Sequence, residues 1–137
     1  MAFWNRPASP AGGAAPAGTT RLRGQAAEDL ALAHLQAAGL RLVERNYRTP
    51  GRGGGEIDLI VREPDGALVF VEVRAREDGS RGGAAASVNA LKRRRIVLAA
   101  RHYLLRHHRS PPRCRFDVVA IDGQRIDWIR GAFGVEG

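Results

Sequence analysis

The sequence predicts an α/β layer fold, in the order helix, three strands, helix, two strands. Three observations carry this. Apolar residues recur at helical spacing over about 24–38 and again over about 89–106. Residues 56–62 and 67–74 alternate on either side of Pro64, Asp65 and Gly66. Two shorter alternating segments follow the second helix, separated by Asp122 and Gly123.

Residues 1–20 are mostly Ala, Gly, Pro and Thr, so they predict a disordered tail ahead of a single domain over 21–137. The first helix is expected from about Gly24 to Ala38, with Ala27, Leu30, Ala31, Leu35 and Ala38 as its stripe and Gly39 as its stop. Glu28 shares the side of Ala31, Leu32 and Leu35. It reads either as an edge carboxylate beside the core or as a first-turn acid favoured by the helix dipole. Leu40 to Arg48 reads as a strand, and 49–55 as a Gly-rich loop with Arg52 at its tip, placed to reach a phosphate. The glycine spacing matches neither a dinucleotide fingerprint nor a P-loop, and no helix follows.

Ile57, Leu59 and Val61 alternate against Glu56, Asp58 and Ile60. Val69, Val71 and Val73 alternate against Leu68, Phe70, Glu72 and Arg74. Pro presets the first turn position and Gly accepts the left-handed one, so 64–66 predict a three-residue hairpin loop. Residues 76–86 are Gly-rich and expected to be mobile. The second helix is expected from Ser87 or Asn89 to Arg106, with Leu91, Leu98, Ala99, His102 and Leu105 inward and Ile96, Tyr103 and Leu104 widening that face. Strands over Arg115 to Ile121 and Arg125 to Ile129 complete the order.

The chain has 137 residues, 44% of them hydrophobic, enough for one buried core. No apolar run is long enough for a membrane span and the start does not look like a signal peptide, so a soluble cytoplasmic protein is expected. One cysteine, Cys114, gives neither an internal disulfide nor a ligand cluster. His102, His107 and His108 lack the spacing of four that aligns two ligands on a helix. His102 is expected to pack or cap, and the others to be exposed. A formal charge of +8, carried almost wholly by arginine, makes nucleic acid the first partner to consider.

The hairpin turn fixes a register. With 64–66 as the loop, Ile60 faces Phe70, Asp58 faces Glu72 and Glu56 faces Arg74. Opposed Cβ atoms stand about 4.5–5.5 Å apart, where like charges repel. Two carboxylates so placed among apolar neighbours call for a bound cation or a shared proton, unless they stand on a solvated sheet face that tolerates the repulsion. A hard ion such as Mg2+ takes oxygen ligands and often only one or two carboxylates. Arg74 shares the face of Glu72. It reads either as half of an ion pair with Glu56 or as a cation that stabilises charge on an attacked phosphate.

Several motifs stand in a fixed order: Gly24 to Ala31 with Glu28, Glu44 to Arg48, Gly55 to Ile60, Val69 to Arg76, Lys92, Arg115 to Val119, and Ala132 with Phe133. Together they resemble the YraN-type family of small bacterial proteins over about residues 21–134. That family is similar to the restriction-endonuclease-like superfamily with the PD-(D/E)XK signature, including archaeal Holliday-junction resolvases. The resemblance implies a central mixed sheet flanked by helices and metal-dependent phosphodiester hydrolysis. It implies Mg2+ or Mn2+ on Asp58 and Glu72, with Glu28 positioning water or metal and Arg74 at the motif's lysine. Arginine keeps the charge but is larger and never serves as a deprotonated base. Ala27 replaces the motif's glycine before Glu28.

Three functions follow as expectations. One is a nuclease acting on DNA, branched or single-stranded. Another is a nucleic-acid-binding protein on a nuclease fold with weak or lost catalysis because Arg74 replaces the motif's lysine. Arg52, Arg76, Lys92, Arg93 and Arg95 are the expected phosphate contacts for both. The third is a protein-interaction subunit using Phe3 and Trp4 of the tail and the apolar end around Trp128 and Phe133. Pairing of two copies stays open.

Overall fold

The computed structural model describes residues 16–76 and 88–135, and the side chains of 24–75 and 88–135. The elements are α1 (Pro16–Ala37), β1 (Arg41–Arg48), β2 (Glu56–Arg62), β3 (Leu68–Arg76), α2 (Ala90–His107), β4 (Cys114–Asp122) and β5 (Arg125–Phe133). Tail residues 1–15, with Phe3 and Trp4, and residues 77–87 of the Gly-rich stretch lie outside the described residues.

The strands form one mixed sheet in chain order, β1 to β5. Neighbours are antiparallel except β3 and β4, which run parallel with α2 as their connection. The helices cover opposite faces. Ala27, Ala31 and Leu35 of α1 pack on Leu59, Val61, Val69, Val71 and Val119. Ile96, Ala99, Ala100 and Tyr103 of α2 pack on Ile57, Ile60, Leu68 and Phe70. This is the mixed sheet flanked by helices that the motif order implied, and it is consistent with a restriction-endonuclease-like fold.

Helix α1 starts at Pro16, earlier than the expected Gly24, and so includes residues 16–20 of the expected tail. Glu28 therefore lies in mid-helix, which removes the first-turn dipole reading. The far end closes as a Schellman turn: Gly39 takes φ +99°, and the Leu40 N–H reaches the Leu35 carbonyl at 3.1 Å. Ala38 is exposed, outside the stripe.

Helix α2 begins after Asn89, whose Oδ1 accepts the Lys92 N–H at 2.9 Å. Its inward face differs from the expected stripe. Leu91, Leu98 and Leu105 are exposed, and Ile96, Ala99, Ala100 and Tyr103 face the sheet. The cause is proximity. A Cβ at Gly55 would lie 2.7 Å from the Ala99 nitrogen and 2.9 Å from the Ala99 Cβ. Only small residues fit where the helix touches the start of β2, so alanines turn inward and leucines outward.

The hairpin keeps the predicted register, with Ile60 opposite Phe70 and Arg62 opposite Leu68. Glu63 N–H bonds the Ala67 carbonyl at 2.9 Å, and Gly66 takes φ +97°. One face assignment in β2 changes. Ile57 joins Ile60 on the α2 side instead of Leu59 and Val61 on the α1 side. Opposite Asp58 stands Asn46 at φ +52°, the described non-glycine residue with positive φ. Asn tolerates this conformation better than most residues. The kink breaks the alternation of both strands there. Strands β4 and β5 run past their expected ends, and β5 reaches Phe133, which stacks on Phe116 with ring centroids 5.0 Å apart.

Candidate metal and phosphate site

Asp58 and Glu72 lie where the hairpin opens. The paired ladder of β2 and β3 extends to Leu59 opposite Val71. Beyond it the Val73 N–H is taken by the Asp58 side chain, at 2.8 Å from Oδ2. The two carboxyls lie close enough to share a proton. Glu72 is 3% exposed and Asp58 half-buried. Burial, and then the negative charge of Glu72, push the Asp58 carboxyl up to about 7. Burial also raises Glu72, against the opposing pull of Lys92 and Arg74. At neutral pH the pair thus retains part of one proton, a positive charge that a cation would replace.

Two cations approach the same oxygen. Arg74 Nη1 lies 3.6 Å from Glu72 Oε2, and Lys92 Nζ lies 3.5 Å from it. Arg74 comes from the same strand, two residues on. Lys92 comes from the first turn of α2. The alternative pairing of Arg74 with Glu56 does not form: Glu56 pairs with Arg48 at 3.5 Å.

Glu28 flanks the pair from the α1 side. Its Oε1 accepts from Arg45 Nη2 at 3.2 Å and Asn46 Nδ2 at 3.3 Å. Burial and then the nearby Asp58 charge raise its carboxyl, and Arg45 counteracts both. Glu28 is therefore close enough to feel Asp58 but is held by β1. Arg45 and Asn46 were not singled out from the sequence. Their signal was Glu44 to Arg48 within the motif order, which carries no chemistry until Asn46 is seen to kink the strand and hold Glu28.

The expected phosphate contacts divide. Lys92 and Arg95 join Arg74, Asn89 and Leu91 around a cavity of about 140 Å3 beside Glu72. Arg95 also donates to the Gly54 carbonyl at 3.3 Å, tying the loop of 49–55 to α2. Arg93 points elsewhere: its Nε bonds the Val88 carbonyl at 3.0 Å and its guanidinium lies 5.9 Å from the Phe133 ring centroid. Arg52 is exposed in the loop, and Arg76 ends β3 with its side chain outside the described residues.

Other expectations resolve inside the fold. Tyr47 Oη and His102 Nδ1 are hydrogen-bonded at 2.6 Å. His107 is exposed and stacks on Tyr103, whereas His108, only half-exposed, caps α2. Trp128 is half-buried in the α1-side core and donates to Asp117 Oδ2 at 2.9 Å, so the aromatic end of the chain packs on its own sheet.

Among the described residues no group of three or more His, Cys, Asp and Glu side chains gathers as a metal cluster. The protein therefore offers two carboxylates. That set fits a hard divalent ion that keeps most of its waters, since such ions need few protein ligands and prefer oxygen. It does not fit zinc, whose structural sites use four Cys and His ligands.

A helix–sheet–helix layer with an acid pair at an opened hairpin defines an α/β protein of restriction-endonuclease-like build. The chain belongs to the family described as "Uncharacterised protein family UPF0102", whose model matches residues 27–121. It is 69% identical over 121 residues to a UPF0102 protein of Acidovorax sp. (strain JS42), covering 88% of this chain and 91% of that one. A UPF0102 protein of Paracidovorax citrulli (strain AAC00-1) is 68% identical, over 89% of this chain and 90% of its own. One from Ralstonia pickettii (strain 12J) is 56% identical, over 89% and 98%. Among the described residues, no helix is long and apolar enough to cross a membrane.

Proposed function

We propose that the chain is a Mg2+- or Mn2+-dependent nuclease that hydrolyses phosphodiester bonds in DNA. The observation that carries this is a close acid pair, half-buried Asp58 and buried Glu72, with two cations on one of its oxygens and a cation-lined cavity beside it. An inward acid pair raises the free energy of the metal-free protein unless something positive joins it. Asp58 and Glu72 would hold the ion, which supplies an activated water and neutralises charge on the attacked phosphate. Val73 N–H orients Asp58. Arg74 and Lys92 stand where they would hold phosphate oxygens, and Glu28 is fixed by Arg45 and Asn46 at the edge.

The test is cleavage of single-stranded and branched DNA with Mn2+ and with Mg2+. The expected result is nicking or trimming that Asp58→Ala and Glu72→Ala each abolish. The second reading, a binding protein on a nuclease fold, is favoured by one observation, arginine at position 74. Binding that weakens with salt but never leads to cleavage under either metal would establish it and overturn the first.

A further inference from the structure

We propose that Lys92, carried on α2, does the work that the motif assigns to a lysine on the third strand, and that the cavity beside it holds one phosphate of the substrate. This rests on the nuclease reading and deepens it.

The argument begins with geometry. Lys92 Nζ and Arg74 Nη1 stand at 3.5 and 3.6 Å from the same Glu72 oxygen, so the two elements deliver positive charge to one point. The ammonium position is built rather than incidental. Asn89 caps the helix on the Lys92 amide at 2.9 Å, fixing where that residue leaves the backbone. The bare Gly55 lets the next turns of α2 sit against the start of β2. Lys92 is 37% exposed at its side chain while Glu72 is 4% exposed, so the lysine spans from buried carboxylate to solvent.

The two cations have different chemistry. An ammonium is compact and carries three donors, enough to bond a carboxylate, a water and a phosphate oxygen at once. A guanidinium is a flat fork that suits two oxygens of one phosphate. The cavity of about 140 Å3 is bordered by Arg74, Lys92 and Arg95. It is open to solvent and large enough for a phosphate group, and three cations border it. Lys92 thus orients the water next to Glu72, and Arg74 with Arg95 holds the phosphate oxygens. Arginine at 74 is then a change in division of labour and not a missing part.

The experiment has two arms. The first measures cleavage of a single-stranded oligonucleotide with Mn2+ by the intact chain, Lys92→Met and Arg74→Lys. Lys92→Met is expected to lower kcat at least 100-fold with KM within about threefold, because other phosphates still bind. Arg74→Lys is expected to lower kcat/KM about five- to tenfold through loss of the fork. Wild-type kcat in Lys92→Met, or faster cleavage in Arg74→Lys, overturns the proposal. The second arm titrates inorganic phosphate calorimetrically in the presence of Ca2+, with no turnover required. Lys92→Met is expected to weaken that binding at least tenfold, and equal binding overturns the proposal. An intact chain that binds phosphate through Lys92 yet never cuts DNA refutes the nuclease reading, and with it the catalytic part given to Lys92, and upholds the phosphate cavity. Thermal melts check that both variants are folded, and Arg74→Lys retains a charge at its site if Lys92→Met does not fold.

Discussion

Two buried acidic centres sit on opposite faces of the same sheet, and they are finished differently. Asp117 in β4 is 0% exposed and fully answered. Its oxygens accept from Arg115 Nε at 2.9 Å, Arg115 Nη2 at 3.1 Å, Trp128 Nε1 at 2.9 Å and the Gly131 N–H at 2.9 Å. Arg115 also reaches Glu63 at 2.7 Å, extending the network to the hairpin turn. Among the described residues, Asp58 and Glu72 have one close backbone donor, each other, and two cations beyond 3.4 Å. Satisfied buried charge locks a structure; unfinished buried charge holds a place for something else. The first centre staples β5 to β4, and the second is proposed to wait for metal and phosphate.

The contrast predicts opposite signs on mutation. Asp117→Ala leaves the half-buried Arg115 guanidinium with Glu63 alone and strands the Trp128 and Gly131 N–H donors, so urea unfolding is expected to show a loss of about 3–5 kcal/mol. A loss under 1 kcal/mol would erase the distinction between the centres. Gly55→Ala comes next, at about 1–3 kcal/mol, because the added methyl drives α2 off the sheet. The same shift draws Lys92 from Glu72, so it is expected to cost activity beyond what stability explains. Asp58→Asn should go the other way. The amide still accepts from Val73 and now donates to Glu72, so metal-free stability at pH 8 is expected to rise by about 0.5–2 kcal/mol while cleavage disappears. Failure to stabilise would mean the pair is not under strain.

The same strain is expected to show without any mutation, in the pH dependence of the metal-free protein. The Asp58 carboxyl moves from an ordinary 3.8 up to about 7 in the fold. The native state then binds more protons than the unfolded chain between those values, so stability falls as pH rises through that window. Melting in EDTA is expected to drop by several degrees from pH 5 to pH 8. Mn2+ at pH 8 is expected to reverse the drop, which a purely structural pair would not show.

The sequence made the hairpin and its acid pair legible because turn chemistry and strand alternation are local, and counting outward from Pro64, Asp65 and Gly66 reproduces the pairing of Ile60 with Phe70. The errors arose where distant backbones meet. Leucines were expected inward on α2, but contact with Gly55 selects alanines there, and no spacing within the helix encodes that neighbour. Ile57 changed faces because Asn46, on the adjacent strand, kinks opposite Asp58. Lys92 was grouped with the surface cations since its contact with Glu72 is made across a parallel crossover. Asp117 was passed over as one letter in a strand motif, and its partners Trp128 and Gly131 lie on the next strand.

The double cation on Glu72 also bears on how such proteins are recognised. A pattern written around lysine in β3 scores this chain as defective at Arg74. Yet the fold brings positive charge to that oxygen from two separate elements, so a search for such a site has to look across to the neighbouring helix and not along one strand alone.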